Sequence, residues 1–405
     1  MKYQSLRGMK DILPEETPVW QQIEEVCRKN FQIFNYQEIR TPLLEKTELF
    51  ARAVGGETDI VAKEMYSFID KGDRNVCLRP EGTASVVRSA LEHNLISKDK
   101  LTKLYYFGPM FRYERPQAGR YRQFHQVGIE AFGSSDVSLD VETILLAMKI
   151  FSDLGLTDLE VDINSVGCPE CRPHFIKNLK TYLKDHINKM CEDCIKRCAK
   201  NPLRVLDCKK EKCNKIIDGA PSTIDSLCTP CRDHFEELEV LLEHLGINFN
   251  VNKRLVRGLD YYTKTTYEII SKSLGAQNAV CGGGRYDNLV KDFGGQDIPA
   301  VGFAIGLERL AELLKLKTQN SKLKINVELY IIPMGEAAKK LAVGYLKEAR
   351  EKGIAVDMDY SGKKLKAQMK TANRIGAKYV AIIGEEELNT GKVTLKKHAD
   401  RRTVF

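Results

Sequence analysis

Between Phe111 and Gly133 the chain carries four arginines, Arg112, Arg115, Arg120 and Arg122, within eleven residues. Guanidinium groups gathered this closely suit phosphate, which they grip through paired parallel hydrogen bonds. Downstream, Gln126, Gly128 and Glu130 fall in step with apolar Val127, Ile129 and Ala131. Side chains alternate along a strand, so the amide and the acid share one face and the apolar residues take the other. Pro116 and Gly119 mark a turn between the two halves. The expected unit is a strand, a turn and a returning strand that offers cations for phosphate and a buried acid for another polar group. A solvated charged hairpin would explain the arginines alone, but not an acid and an amide in register with an apolar face.

Three further stretches offer chemistry. Arg79-Pro80-Glu81-Gly82-Thr83 stands where a strand gives way to a helix over about Ala84–Asn94. An acid and a hydroxyl there can cap the helix, most plainly Thr83, and a carboxylate such as Glu81 also suits an ammonium ion. Strand pattern resumes at Leu255 and runs to Ile269 through Arg257-Gly258-Leu259-Asp260-Tyr261-Tyr262. Beyond it, Cys281-Gly282-Gly283-Gly284-Arg285-Tyr286 permits close backbone approach to a ligand, and Ala300 to Leu310 passes from strand to helix with Arg309 at the helix start.

Nine of the 12 cysteines lie between Cys168 and Cys231. They come as Cys168/Cys171, Cys191/Cys194 with Cys198, then Cys208, Cys213, and Cys228/Cys231. Two CxxC pairs can build a tetrahedral zinc site, and reduced, partly buried thiols fit equally well. The pairing is not readable from the spacing.

These groups must be positioned by more than one domain. The 405 residues, 43% of them hydrophobic, suffice for two or three. No apolar run approaches about 18 residues and the start has no signal-peptide core, so a soluble cytoplasmic protein with no membrane partner is expected. A net charge of +8 permits a polyanionic partner without requiring one. A helix is expected over Pro14–Phe34, then a strand over Tyr36–Leu44 broken at Pro42, and a hairpin from Lys63–Phe68 and Val76–Arg79. A helix over Val137–Leu154 and a strand over Leu159–Asn164 precede a helical, basic, cysteine-rich insertion at 168–245. Thr318–Lys324 reads as a linker. Beyond it, strands at Val327–Ile332, Ala355–Met358 and Tyr379–Ile383 alternate with helices at Glu336–Glu351 and Lys364–Ile375. That alternation argues a small α/β domain with a largely parallel sheet, and Lys363, Lys364, Lys366, Lys370 and Arg374 give it a basic face.

The Phe111–Gly133 segment closely resembles motif 2 of the class II aminoacyl-tRNA synthetases, in the form found in bacterial histidyl-tRNA synthetases. The Pro42 region is similar to motif 1, which forms that family's dimer interface. Ala300–Leu310 is similar to motif 3, and Arg257–Tyr262 resembles the signature specific to the histidine enzymes. The resemblance covers nearly the whole chain and implies an α+β catalytic domain on an antiparallel sheet over 1–324, with the insertion within it. An anticodon-binding domain would fill 325–405, truncated at the C-terminus before an expected last helix.

The resemblance also implies an ATP- and Mg2+-dependent histidine–tRNA ligase, a homodimer acting on L-histidine, ATP and tRNA(His). By the same route Arg112 and Arg257 fall to the α-phosphate, Arg257 also to the histidine carboxylate, and Arg120 and Arg309 to the outer phosphates with magnesium. Gly302 and Gly306 would leave room beneath the purine. Glu81, Thr83 and Gln126 would take the histidine amino group, Glu130 and Tyr262 its imidazole, and Arg115 and Gln117 the tRNA acceptor end. A histidine-binding regulatory paralogue of histidine biosynthesis is the alternative, but it lacks the catalytic arginines and the C-terminal domain. A nucleic-acid module built on the cysteines would leave the arginines unexplained.

Overall fold

The computed structural model describes residues 3–55, 58, 60–116, 119–206, 208, 210–256, 258–274, 278–317 and 327–397. The chain divides into two compact units, 1–319 and 320–405. The expected linker at Thr318–Lys324 and the chain end at 398–405, where truncation is expected, lie outside the described residues.

In the first unit, α1 (Thr17–Ile33) has a proline in its first turn, where no helical N–H is needed, and buries Ile23, Cys27 and Phe31 at a four-residue spacing. The single strand expected over Tyr36–Leu44 is two, β1 (Gln37–Glu38) and β2 (Leu44–Lys46), which join different sheets on either side of Pro42. Helix α2 (Thr47–Val54), strands β3 (Tyr66–Ile69) and β4 (Asn75–Leu78), and α3 (Thr83–Glu92) follow, and β2, β4 and β3 pair antiparallel in that order. The central hairpin is β5 (Thr102–Phe111) with β6 (Gln123–Phe132), so its arginines lie in the connection rather than on the strands.

Next come α4 (Val137–Asp153), whose N-cap Asp136 accepts the Ser138 N–H at 2.9 Å, and β7 (Glu160–Ser165). Helices α5 (Cys171–His186), α6 (Glu192–Lys200), α7 (Glu211–Ile217) and α8 (Thr229–His244) occupy the cysteine-rich stretch. Phe175, Leu179, Leu183, Val205 and Ile217 form a separate core there with four cysteines. The last helix departs from the expected insertion, because Phe235, Leu238 and Leu242 of α8 are buried in the main core instead. The unit closes with β8 (Phe249–Val251), β9 (Thr263–Ile270), β10 (Ala279–Arg285), α9 (Leu289–Asp292), β11 (Ala300–Gly306) and α10 (Leu307–Lys317). The strand expected from Leu255 begins only at Thr263. Among the described residues its first part is turn and loop, and Gly258, Leu259, Tyr261 and Tyr262 there line the cavity wall.

The main sheet has eight strands in the order β1-β5-β6-β11-β10-β9-β7-β8. Its interior neighbours are antiparallel, and only the edge strands β1 and β8 run parallel to theirs. On β6, Val127, Ile129 and Ala131 enter the apolar core beneath α1, α4 and α10, so Gln126, Gly128 and Glu130 face the other way. Behind the sheet, Arg285 is fully buried and donates to Asp140 of α4, which also bonds His234 of α8 at 2.8 Å. Removing one partner of such a buried pair typically costs about 3–5 kcal/mol.

The second unit is a four-stranded sheet, β12 (Leu329–Pro333), β13 (Val356–Met358), β14 (Tyr379–Ile383) and β15 (Leu395–Lys397), in the order β13-β12-β14-β15. Only β15 is antiparallel. Helix α11 (Glu336–Glu351) packs with Ile331 and Ala381 on one face, and α12 (Leu365–Ile375) carries Ala372 against Tyr330, Ile332 and Val380 on the other. The short α13 (Glu385–Thr390) precedes β15. Lys363, Lys364, Lys366, Lys370 and Arg374 are all exposed.

Candidate active site

One cavity of about 1200 Å³ opens on the polar face of the main sheet. Glu81, Thr83, Arg112, Arg120, Gln126, Glu130, Tyr262 and Arg309 all line it. Arg257 and Gln117 lie outside the described residues.

At one end sits Glu130, 1% exposed. Its Oε1 accepts the Thr83 hydroxyl at 2.7 Å and its Oε2 accepts the Tyr286 hydroxyl. Burial pushes its carboxyl up to about 8 against the pull of these two hydroxyls. Gly302, opposite Glu130 in the register, makes this possible: a Cβ there would lie 2.2 Å from Oε2. Gly302 and Gly306, both expected beneath a purine, line the cavity, and Gly306 is open around its Cα.

Glu81 is 3% exposed and accepts the backbone N–H groups of Thr83 at 2.7 Å and Ala84 at 2.9 Å. The helix cap expected most plainly of Thr83 is thus made by Glu81. The acid caps α3 and the hydroxyl reaches across to Glu130, because a two-residue offset lets a carboxylate fold back on the first turn. Burial raises the Glu81 carboxyl, and the same N–H groups and Arg112 oppose that. Nearby, the Tyr106 hydroxyl and Gln126 Oε1 are buried without a hydrogen-bond partner among the described residues. Unpaired buried groups of this kind cost about 1–3 kcal/mol each unless something arrives to pair with them.

The other end is cationic. Arg112 donates from Nε to the Pro80 carbonyl at 2.9 Å and lies over the Phe124 ring at 5.3 Å, which orients its outer nitrogens. Arg120 pairs with Glu114 at 3.0 Å. Arg309 donates to the carbonyls of Gly119 at 3.3 Å and Ala279 at 2.5 Å. Burial, and then the like charge of Arg120, pull its guanidinium below the usual range. Crowded cations in a partly buried cleft are what an anionic ligand relieves. Only two of the four arginines counted from the sequence come here: Arg115 and Arg122 line a separate small cavity with Arg7 and Tyr113. Arg122 stacks on Tyr113 at 3.7 Å and so fixes the loop. The alternation rule fails at these arginines because they stand beyond the strand ends.

Tyr286, Tyr106, Tyr261, Glu114 and Glu268 also line the cavity and were assigned no role from the sequence. Tyr286 stood within the glycine-rich stretch and directly follows buried Arg285, which was the available signal. The two acids offer hard oxygen donors beside the arginines, a donor set that fits Mg2+.

The cysteines resolve into two groups of four, Cys168/Cys171/Cys228/Cys231 and Cys191/Cys194/Cys208/Cys213, with every sulfur in a group within 4.8 Å of the others. In the first, Sγ–Sγ distances are 3.5, 3.7 and 3.7 Å for Cys168–Cys171, Cys168–Cys228 and Cys171–Cys231; in the second, Cys191–Cys208 is 3.9 Å. A tetrahedron of sulfurs about 2.3 Å from zinc has edges of roughly 3.8 Å. Burial opposes ionisation in both groups; backbone N–H and neighbouring thiol hydrogen bonds bring Cys168 and Cys191 to about 7 against it, whereas burial and the neighbouring thiols push Cys194 and Cys231 well up. Both groups can therefore hold a metal ion, and Cys198 belongs to neither.

The family model described as Histidyl-tRNA synthetase matches residues 8–310, and that described as Anticodon binding domain matches 328–404. A histidine–tRNA ligase of Halothermothrix orenii is 53% identical over 98% of this chain and 94% of its own. One of Desulforamulus reducens is 49% identical over 96% and 93%. The crystal structure of apo S. aureus histidyl-tRNA synthetase, 38% identical, superposes with a TM-score of 0.80 over 98% of this chain and 95% of its own. With these matches over nearly the whole chain, this chain belongs to the histidyl-tRNA synthetase family.

Proposed function

We propose that the chain activates L-histidine with ATP and transfers it to the 3′ end of tRNA(His). The observation that carries this is a single cavity with a buried, hydroxyl-held carboxylate at one end and three arginines at the other. A carboxylate oxygen of histidine attacks the α-phosphorus of ATP, the bond to the β-phosphate oxygen breaks, and pyrophosphate leaves. A ribose hydroxyl of the terminal adenosine of tRNA then attacks the adenylate carbonyl and expels AMP.

Glu130 accepts the imidazole N–H and Tyr262 serves the other ring nitrogen. Each Glu130 oxygen keeps a lone pair after bonding one hydroxyl. Glu81 and Gln126 take the ammonium group, for which Gln126 Oε1 is a waiting acceptor, and Thr83 holds Glu130 in place. Arg112 and Arg257 neutralise charge growing at the α-phosphate, and Arg257 also holds the histidine carboxylate in line; Arg120 and Arg309 hold the outer phosphates. Glu114 and Glu268 would hold Mg2+, which supplies charge neutralisation on the pyrophosphate oxygens. Arg115 and Gln117 meet the acceptor end, and the basic side of α12 the anticodon stem-loop.

Each cysteine group holds one structural Zn2+. Two copies pair through the motif 1 region, where Leu43, Leu44, Phe68 and Ile69 stay exposed on and beside the three-stranded sheet. The protein works in the cytoplasm; no helix among the described residues is long and apolar enough to cross a membrane. Charging of a tRNA(His) transcript with labelled histidine is the test. Stable charging of its 3′ end is expected, and histidine binding without charging would instead indicate a regulatory protein.

A further inference from the structure

The Gly258–Tyr262 loop carries two tyrosines of the cavity wall but belongs to no strand, so no sheet ladder fixes it. Its Asp260 N–H donates to the Val54 carbonyl at 3.1 Å, and two arginines from the cysteine-rich region hold its own carbonyls. Arg172, the residue after Cys171, donates to the carbonyls of Asp260 at 3.4 Å and of Tyr262. Arg204 donates to the carbonyl of Gly258, and its Nη2 lies 3.8 Å from the Asp260 carboxylate.

Each arginine is rooted in a different cysteine group. Arg172 stands in the first turn of α5 beside Cys171 of the first group. Arg204 lies in the short turn Pro202–Val205, between Cys194 and Cys208 of the second group. That turn is anchored twice: Val205 packs in the core containing the four cysteines, and the Arg204 carbonyl accepts from Arg197 of α6 at 3.3 Å. Arg204 and Cys208 themselves line the cavity. A small core that includes four sulfurs is the kind that folds only around its metal.

We propose that Arg172 and Arg204 are positioning residues for the Gly258–Tyr262 loop and that metal in the two cysteine groups holds them there, so that zinc content sets the rate of histidine activation. This rests on the reading of the reaction and of the two zinc sites given above. The two arginines act by fixing the loop that presents Tyr262 and adjoins Arg257, and displacing such a loop by about 1 Å can cost on the order of a hundredfold in rate.

The experiment uses the full chain as wild type, Arg204→Ala, Arg204→Lys, Arg172→Ala and Cys194→Ser. Three quantities are read on each: zinc per chain by elemental analysis, hydrogen–deuterium exchange of the 255–262 peptide, and kcat and KM in histidine-dependent pyrophosphate exchange. Wild type should hold two zinc ions. Arg204→Ala and Arg172→Ala should keep both, exchange faster in the loop, and lose about ten- to a hundredfold in kcat with KM for ATP little changed. Arg204→Lys should recover part of both effects. Cys194→Ser should lose one zinc and reproduce the Arg204→Ala loop. Should Cys194→Ser fail to fold, Arg204→Ala still carries the test because it leaves every sulfur in place. Wild-type loop exchange and kcat in Arg204→Ala, or wild type purified without zinc, would overturn the proposal. A wild type inactive toward histidine whose loop still tightens with Zn2+ would overturn the functional reading and leave the clamp standing.

Discussion

At the Glu130 end of the cavity the polar groups are assembled before any ligand arrives: Thr83 and Tyr286 hold the carboxylate from two sides, and Gly302 leaves it room. At the arginine end the opposite holds. Arg112, Arg120 and Arg309 bring like charges together, steadied by carbonyls and by Glu114. The first arrangement suits selection, because a buried acceptor rejects a side chain that cannot donate to it. The second suits catalysis, because fixed cations are most useful where charge appears only during reaction. Mutations at the two ends should therefore fail differently.

The largest effect is expected at the preassembled end. Glu130→Gln replaces an acceptor with a group that is half donor, and losing one partner of a buried charged hydrogen bond costs about 2–5 kcal/mol. The value of kcat/KM for histidine should fall about 10³-fold, with KM for ATP nearly unchanged. Unaltered histidine kinetics would remove Glu130 from recognition.

Arg257→His tests the other end and should cut adenylate formation by about 10²–10³, the usual cost of one preorganised donor, with much less change in ATP affinity. Transfer from preformed adenylate should suffer less. Lost ATP binding with normal turnover at saturation would make Arg257 a ground-state ligand.

A pH series sharpens the comparison. Burial pushes the Glu130 carboxyl up from the ordinary 4.5 to about 8 by favouring its neutral form. The folded state thus binds more protons than the unfolded one between those values, and this group's contribution to stability declines as pH rises through that window. Histidine needs the ionised acceptor, present in roughly a tenth of molecules at pH 7, so KM for histidine should drop by about tenfold from pH 7 to above 8. The drop should vanish in Glu130→Gln, and a drop that survives belongs to another group. The smallest effect is expected for Gln117→Ala, a few-fold slowing of tRNA charging with adenylate formation spared, since one neutral hydrogen bond is worth about 1 kcal/mol. Equal loss in both assays would move the loop from tRNA to ATP.

The two ends also differed in how much the sequence disclosed. Strand alternation put Gln126 and Glu130 on one face, because a residue's face on a buried strand is fixed by period alone. Helix α4 and the α/β order of the second unit were likewise legible in their apolar spacing, to within a residue or two at most ends. Period says nothing beyond a strand's end, so the separation of Arg115 and Arg122 from Arg112 and Arg120 was hidden. Contacts between distant segments were hidden for the same reason: Tyr286 on Glu130, and the sulfurs of each cysteine group, drawn from two helices and the residues beside them. CxxC spacing announces half a metal site, and only the fold pairs the halves.

The most direct test of the account is exchange of labelled pyrophosphate into ATP, run with each of the common amino acids in turn. Exchange that requires histidine, and that collapses in both Glu130→Gln and Arg257→His, is the predicted result. Exchange with another amino acid, or none with histidine, would contradict it.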